Sequence, residues 1–216
     1  MNQIENADSF LGIDPSELLV SDVNRLLLHC VSPRPIAFTS TVSPDGIPNL
    51  APFSYFTLGG ANPPSIVISP LTGKAGEPKD TLRNIEMTGE FVINVVTYGM
   101  REKMNLSSLK YPFGVSEWQD AGFTPVTSDK VAPPRILESP LGMECRLYKI
   151  VKHGMGPLSA NYVIGEVIYF HISRSIMPDG VIDPSKIDYL ARLGGDWYAR
   201  MDHNSIFEMP LRKRDE

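Results

Sequence analysis

Apolar positions along the chain alternate between a helical and an extended period, and the changes of period divide it into elements. In "PSELLVSDVNRLLLHC", Leu18, Leu19, Val23, Leu26 and Leu27 recur at helical spacing and predict a short amphipathic helix. Pro33 and Pro35 in "SPRPIAFTSTV" end it and start an extended segment. "TSTVSPDGIPNLAPFSYF" reads as a β-hairpin turning at "SPDG", and "PPSIVISP", with Ile66, Val67 and Ile68, as a short buried strand. "GEPKDTLRNIEMTGEFVINVV" then predicts a helix capped by Asp80 or Thr81, carrying Leu82, Ile85 and Glu86 and stopping at Gly89. A strand through Phe91, Val92, Ile93, Val95 and Val96 follows it.

"GMREKMNLSSL" is a further short helix, and Lys110 to Pro134 reads as a long irregular connection, the kind that usually builds a lid or pocket wall. "GMECRLYKIVKHG" and "ANYVIGEVIYFHIS" alternate as two long strands of one hairpin, with Gly154–Asn161 as the turn. Five to seven strands with short helices between them predict a closed or partly closed antiparallel barrel. No repeat or linker interrupts the pattern, so residues 1–216 read as one domain with its core over about 20–200. The N-terminal helix and the C-terminal extension are peripheral to that core.

Composition narrows the function. A formal net charge of −5 and no concentrated basic face argue against nucleic acid. The only compact basic run, Arg212 to Arg214, is followed by two acids and reads as a solvated tail. No apolar run spans a bilayer, and the acidic start lacks the basic region of a secretory signal, so a cytoplasmic protein without membrane contact is expected. Cys30 and Cys145 match no metal or redox spacing and read as two buried thiols. The four histidines show no metal-ligand spacing either; His171 reads as a satisfied core or interface histidine.

Two stretches carry candidate chemistry. The hairpin puts Thr39, Ser40, Thr41, Asn49, Ala51, Pro52 and Ser54 where a sheet normally carries Val, Ile and Leu. Side chains this small either belong to a wet, exposed hairpin or let a planar ligand approach the backbone, with Asn49 and Ser54 as polar groups at its rim. "PKDTLRN" places Lys79 and Thr81 at a helix N-terminus, whose bare N–H groups attract phosphate; a routine capped surface helix is the other reading. A nucleotide-like cofactor needs both a flat platform and a phosphate site. "LARLGGDWYA" lacks a Rossmann context, so Gly194 and Gly195 form a turn or a close backbone approach. His203 is a candidate for entering the same pocket.

"SPRPIAFTSTVSPDGIPNLAPFSYF", "PPSIVIS", "KDTLRNI" with "GEFVINVV", "SPLGMEC", "GEVIYFHI" and "LARLGGDWY" occur in the order found in flavin reductase-like proteins. The branch resembled is that of the nitrilotriacetate monooxygenase reductase component and the flavoredoxins, over about Val20 to Tyr198. The resemblance implies a mainly β FMN-binding split barrel, a Greek-key antiparallel barrel with short peripheral helices. It implies a homodimer with non-covalent FMN in a site that the partner subunit completes. Mapped onto this chain, "TST" and "NLAPFS" border the isoalloxazine and ribityl chain. Lys79, Asp80 and Thr81 surround the phosphate, with Arg34 as a further contributor. Gly194, Gly195 and Tyr198 lie at the pocket mouth.

The implied activity is an NAD(P)H:flavin oxidoreductase in which NADH or NADPH gives hydride to flavin N5. Electrons then pass to a monooxygenase or another acceptor. Such chemistry needs no catalytic side chain and no metal, since the cofactor carries the electronic burden. Two other readings remain open: a split-barrel carrier or sensor of FMN or haem without turnover, and a relative of the pyridoxamine-phosphate oxidases.

Overall fold

The computed structural model describes residues 10–109 and 116–210, so the basic tail lies outside the described residues. After a short 3-10 turn at Pro15–Glu17 comes helix α1 (Val20–Cys30). Leu18 and Leu19 precede this helix rather than belonging to it, and Leu19 occupies its N-cap without a side-chain cap bond. None of its residues is buried, and Cys30, expected to be buried, is exposed for that reason; Cys145 is buried, and both are free thiols. The helix is held by polar contacts instead: Tyr55 Oη donates to Asn24 Oδ1 at 2.8 Å near its middle, and Arg34 Nη1 donates to the carbonyls of Leu28 and Val31 at 2.5 and 2.6 Å at its end.

Strands β1 (Arg34–Pro35), β2 (Ala37–Val42) and β3 (Pro48–Phe53) follow. β2 and β3 form the expected hairpin, closed at "SPDG" by Gly46 N–H donating to Ser43 O at 2.9 Å. Next come β4 (Phe56–Ala61), β5 (Pro64–Ile68), helix α2 (Asp80–Thr88) and β6 (Glu90–Val95). Gly89 ends α2 in the left-handed conformation, φ 72°, which glycine adopts without strain. The segment from 101 onward holds α3 (Arg101–Leu106), α4 (Trp118–Ala121), β7 (Pro125–Val126) and β8 (Arg135–Ile136), so part of the connection expected to be irregular is ordered into a short helix and a small ribbon. The long hairpin is β9 (Leu141–His153) and β10 (Ala160–Ile172); β11 (Tyr189–Arg192) and β12 (Tyr198–Met201) close the chain's strands.

Seven strands form one antiparallel sheet in the order β3-β2-β6-β9-β10-β5-β4. Its two edges, β3 and β4, are consecutive in sequence and separated only by Ser54 and Tyr55. Laid flat, seven strands span roughly 29 Å at about 4.8 Å per spacing. Three residue steps from Phe53 to Phe56 reach at most about 11 Å. The sheet must therefore roll until its edges approach, giving a barrel split beside Ser54. A three-stranded sheet, β1-β11-β12, lies next to that split through Arg34.

Alternation along β2 and β3 separates two apolar cores. Phe38 and Leu50 join Met100, Met104, Trp118 and Phe123 beneath α3 and α4. Ala37 faces the other way, with Ile93, Phe91, Val163 and Val167 and with Leu82 and Ile85 of α2. Gly165 lies against the Phe91 ring, where any Cβ would overlap it, so the glycine makes room for a large core side chain. Among the described residues no helix is long and apolar enough to cross a membrane.

Candidate functional site

The hydroxyl-rich face of the hairpin is covered by α2. Asn84 Nδ2 donates to Thr41 Oγ1 at 3.0 Å, and the side chains of Asn49 and Thr81 are bonded at 2.9 Å. Thr39, Ser40 and Thr41 are fully buried, and Thr39 Oγ1 donates to Ala37 O at 3.3 Å. Thr41 thus meets an amide of α2, whereas the buried Ser40 Oγ, on the opposite face, has no hydrogen-bond partner among the described residues. The same bonds fix the N-terminus of α2 beside β3, which brings the two candidate stretches together.

Between them runs a cleft of about 440 Å³, within the range of small-molecule sites. Asn49, Ala51, Pro52 and Ser54 form one wall, and Lys79, Asp80 and Thr81 form the end. α2 begins at Asp80 with Lys79 as its N-cap, and no side chain caps it. Neither Asp80 nor Thr81 takes the capping role expected of it, because Thr81 is turned towards Asn49. The first-turn N–H groups are left with no side-chain cap, and the exposed Lys79 stands beside them. A helix N-terminus in this condition attracts anions.

Four further contributors were not legible in the sequence. Ser69, at the end of "SIVIS", lines the cleft with a buried Oγ that has no hydrogen-bond partner among the described residues. Ser107 and Ser108, at the end of α3, face the same space. Glu117 is only 7% exposed. One of its oxygens accepts from Leu50 N–H at 3.1 Å, and the other lies 3.2 Å from the Asn49 amide once that amide is turned to satisfy its neighbours. Burial pushes its carboxyl above the usual range and the Asp80 charge adds to this, against the pull of the Leu50 N–H. The shift is in the direction that lessens repulsion of an anion in the cleft.

Arg34 stands behind this cleft. Besides the α1 carbonyls, it bonds Leu193 O at 2.8 Å and Ser54 Oγ at 3.3 Å, and it is 6% exposed. Its donors are engaged by protein, so it positions Ser54 and does not reach into the space. Gly194 packs against the His29 ring so closely that a Cβ would overlap it. Gly195 gives its carbonyl to Arg192 Nη2 at 2.6 Å. Tyr198 lines two smaller clefts, one of which shares Pro52, Ser54 and Ser108 with the first. His203 is exposed in the turn after β12 and lines none of the three.

One acidic cluster lies elsewhere. Asp129, Glu144 and His171 bring ligand atoms within 4.8 Å of one another. Glu144 is 0% exposed, and its oxygens accept from the N–H groups of Asp129, Lys130 and Val131 at 2.8, 2.6 and 3.1 Å and face His171 Nε2 at 2.5 Å. The carboxylate is saturated by its own loop, which makes it a clasp on residues 129–131.

Residues 28–182 match the family described as the flavin reductase like domain. The chain belongs to that family. Its fold is also that of solved flavin reductase relatives. Nitrilotriacetate monooxygenase component B from Bacillus cereus is 34% identical, with 95% of this chain and 100% of that chain covered and a TM-score of 0.87. The 2-nitrobenzoate 2-nitroreductase of Pseudomonas fluorescens is 29% identical over 94% and 96% of the two chains, TM-score 0.81. A split barrel domain protein from Shewanella frigidimarina is 25% identical over 91% and 96%, TM-score 0.77. The rolled seven-stranded sheet of this flavin reductase family member is the split barrel that its sequence resemblance implied.

Proposed function

We propose that this chain binds FMN in the cleft between β3 and the N-terminus of α2, and acts as an NAD(P)H:flavin oxidoreductase. The observation that carries the reading is the meeting of a flat wall, Ala51 to Ser54, with an uncapped cationic helix entrance in one cleft. Lys79 and the first-turn N–H groups would hold the phosphate. The small side chains at Ala51 and Pro52 would let the ring system lie close to the backbone of β3. The Ser69 Oγ offers the cofactor a hydrogen bond that no group among the described residues takes. A flavin supplies two-electron hydride acceptance, and the protein's task is to hold it and leave one face open.

Haem fits less well: among the described residues no His, Cys or Met lines this cleft, and the Tyr55 hydroxyl is turned to Asn24. Membership of the flavin reductase like domain family supports the oxidoreductase reading. The Bacillus cereus relative's description as a monooxygenase component supports onward transfer to a monooxygenase or similar acceptor. Leu26, Leu27, Trp197, Phe207 and Met209 are exposed large apolar side chains, and they support a homodimer that completes the site. The cytoplasm, with its pool of reduced nicotinamides, is the proposed location.

The test is anaerobic. Protein loaded with FMN is gel-filtered, and its visible flavin band is followed as NADH or NADPH is added. Retained yellow colour that bleaches with either donor is expected. Colourless protein refutes FMN binding in its tight form, and a retained band that neither donor bleaches leaves a carrier.

A further inference from the structure

The flavin cleft does not end at Ser54. Pro52 and Ser54 also line a second cleft of about 320 Å³, with Asn105, Ser108, Arg192, Asp196 and Tyr198. That space shares Met104, Asn105, Arg192, Asp196 and Tyr198 with a third, of about 390 Å³, which adds Tyr98, Arg101 and Glu102. A single trough thus leads from the α2 N-terminus past β3 to two arginines on different elements, one on α3 and one on β11.

We propose that the far part of this trough binds the diphosphate of a reduced nicotinamide dinucleotide, with Arg101 and Arg192 as its anchors. The inference rests on the flavin reading above. In a dinucleotide the nicotinamide and the diphosphate are joined through one ribose. A donor whose ring meets the flavin beside Pro52 and Ser54 must lay its diphosphate in the neighbouring space.

Both arginines are held ready by aromatic rings. The Arg101 guanidinium carbon lies 4.2 Å from the Tyr98 ring centroid, and that of Arg192 lies 4.3 Å from the Tyr198 centroid. A guanidinium resting on a ring keeps its planar N–H fork available for bidentate contact with phosphate. Arg192 Nη2 is turned by the Gly195 carbonyl, and Arg101 Nη1 by the Tyr98 carbonyl at 3.1 Å. Arg200 also approaches Tyr98, at 4.4 Å, but its fork is taken by both oxygens of Asp188 at 2.8 and 2.9 Å.

Two carboxylates share the trough. Glu102 pairs with Arg101 at 2.8 Å and Asp196 lies 3.8 Å from Arg192, and both carboxylates are exposed. Exposed pairs of this kind are weak. A diphosphate, with charge on both phosphates and bidentate geometry, displaces them. Asp196 and Glu102 then act as competitors that keep the affinity modest, which suits a donor that must leave each turnover.

The experiment uses FMN-loaded protein mixed anaerobically with NADH, NADPH or N-benzyl-1,4-dihydronicotinamide, which has the reacting ring and no phosphate. Arg101→Gln and Arg192→Gln are expected to lower the efficiency of both dinucleotides relative to the benzyl donor by about tenfold or more. The loss should lie in the half-saturating concentration. Asp196→Asn is expected to shift that ratio the opposite way. An unchanged ratio in both arginine variants overturns the proposal, as does an equal loss with all three donors. Wild-type protein bleached by the benzyl donor and by neither dinucleotide also overturns it while leaving flavin binding intact. Protein that takes up no flavin refutes the underlying reading instead.

Discussion

Replacing Lys79 with alanine is expected to weaken FMN binding about 10- to 150-fold, the equivalent of roughly 1.5–3 kcal/mol for a charge-assisted hydrogen bond. Lys79 is the exposed N-cap of α2, so its truncation leaves the helix and the Asn49–Thr81 and Thr41–Asn84 bonds in place. What changes is the full positive charge beside the bare first-turn N–H groups. Riboflavin has the same ring and side chain without the phosphate, and its affinity should be nearly unaltered. Titration of flavin fluorescence with the two ligands separates the cases. An equal loss for both would mean that Lys79 acts on the ring or on the fold, and no loss for either would move the phosphate away from α2.

Replacing Glu144 with glutamine should lower stability by about 3 kcal/mol near neutral pH, or roughly 6–12 °C in Tm for a chain of this size. The substitution preserves shape but sets an amide against N–H groups that now donate to a carboxylate. Burial raises the Glu144 carboxyl, but the Asp129 N–H, His171 and the Lys130 N–H outweigh it and hold the group below its usual range. A carboxyl depressed by folding contributes stability that is fully present above its unfolded value, near about 4.3. That contribution is lost as pH falls through the lower folded value. The gap between wild type and variant should therefore be widest above about pH 4.3 and close in more acidic solution. Thermal unfolding of both proteins across pH 3–7 checks it; a gap that grows on acidification would contradict the clasp.

How much of this was readable beforehand depends on whether the signal was local. The α2 stop at Gly89, the hairpin turn at Ser43–Gly46 and the long β9–β10 pair follow from local periodicity and turn residues, and all are present. The meeting of "NLAPFS" with "KDT" was anticipated from the needs of one ligand, and the structure places both around one cleft. The helix over Thr39 and Thr41 was not readable in advance, because a period of two shows which residues share a face and not what lies on it. The covering partner, Asn84, is some forty residues away. Arg34, expected as a further contributor, has donors bonded to Leu28, Val31 and Leu193, carbonyls that no motif connects.

Glu117, Ser69 and Ser107 were missed for the same reason. Each is an ordinary residue in its own segment and gains meaning only where three elements converge on β3. The helix α1 and Cys30 illustrate the opposite limit. Helical spacing of Val23, Leu26 and Leu27 is real, but a moment along a helix does not show whether its own chain covers that face.

The account depends most on one position for the flavin. A crystal structure of the protein grown with FMN tests that directly. It should place the phosphorus at the first-turn N–H groups of α2 beside Lys79 and the ring system along Ala51 to Ser54, with Ser69 Oγ bonded to the cofactor. Flavin density on another surface, with the cleft between β3 and α2 filled only by solvent, would contradict it.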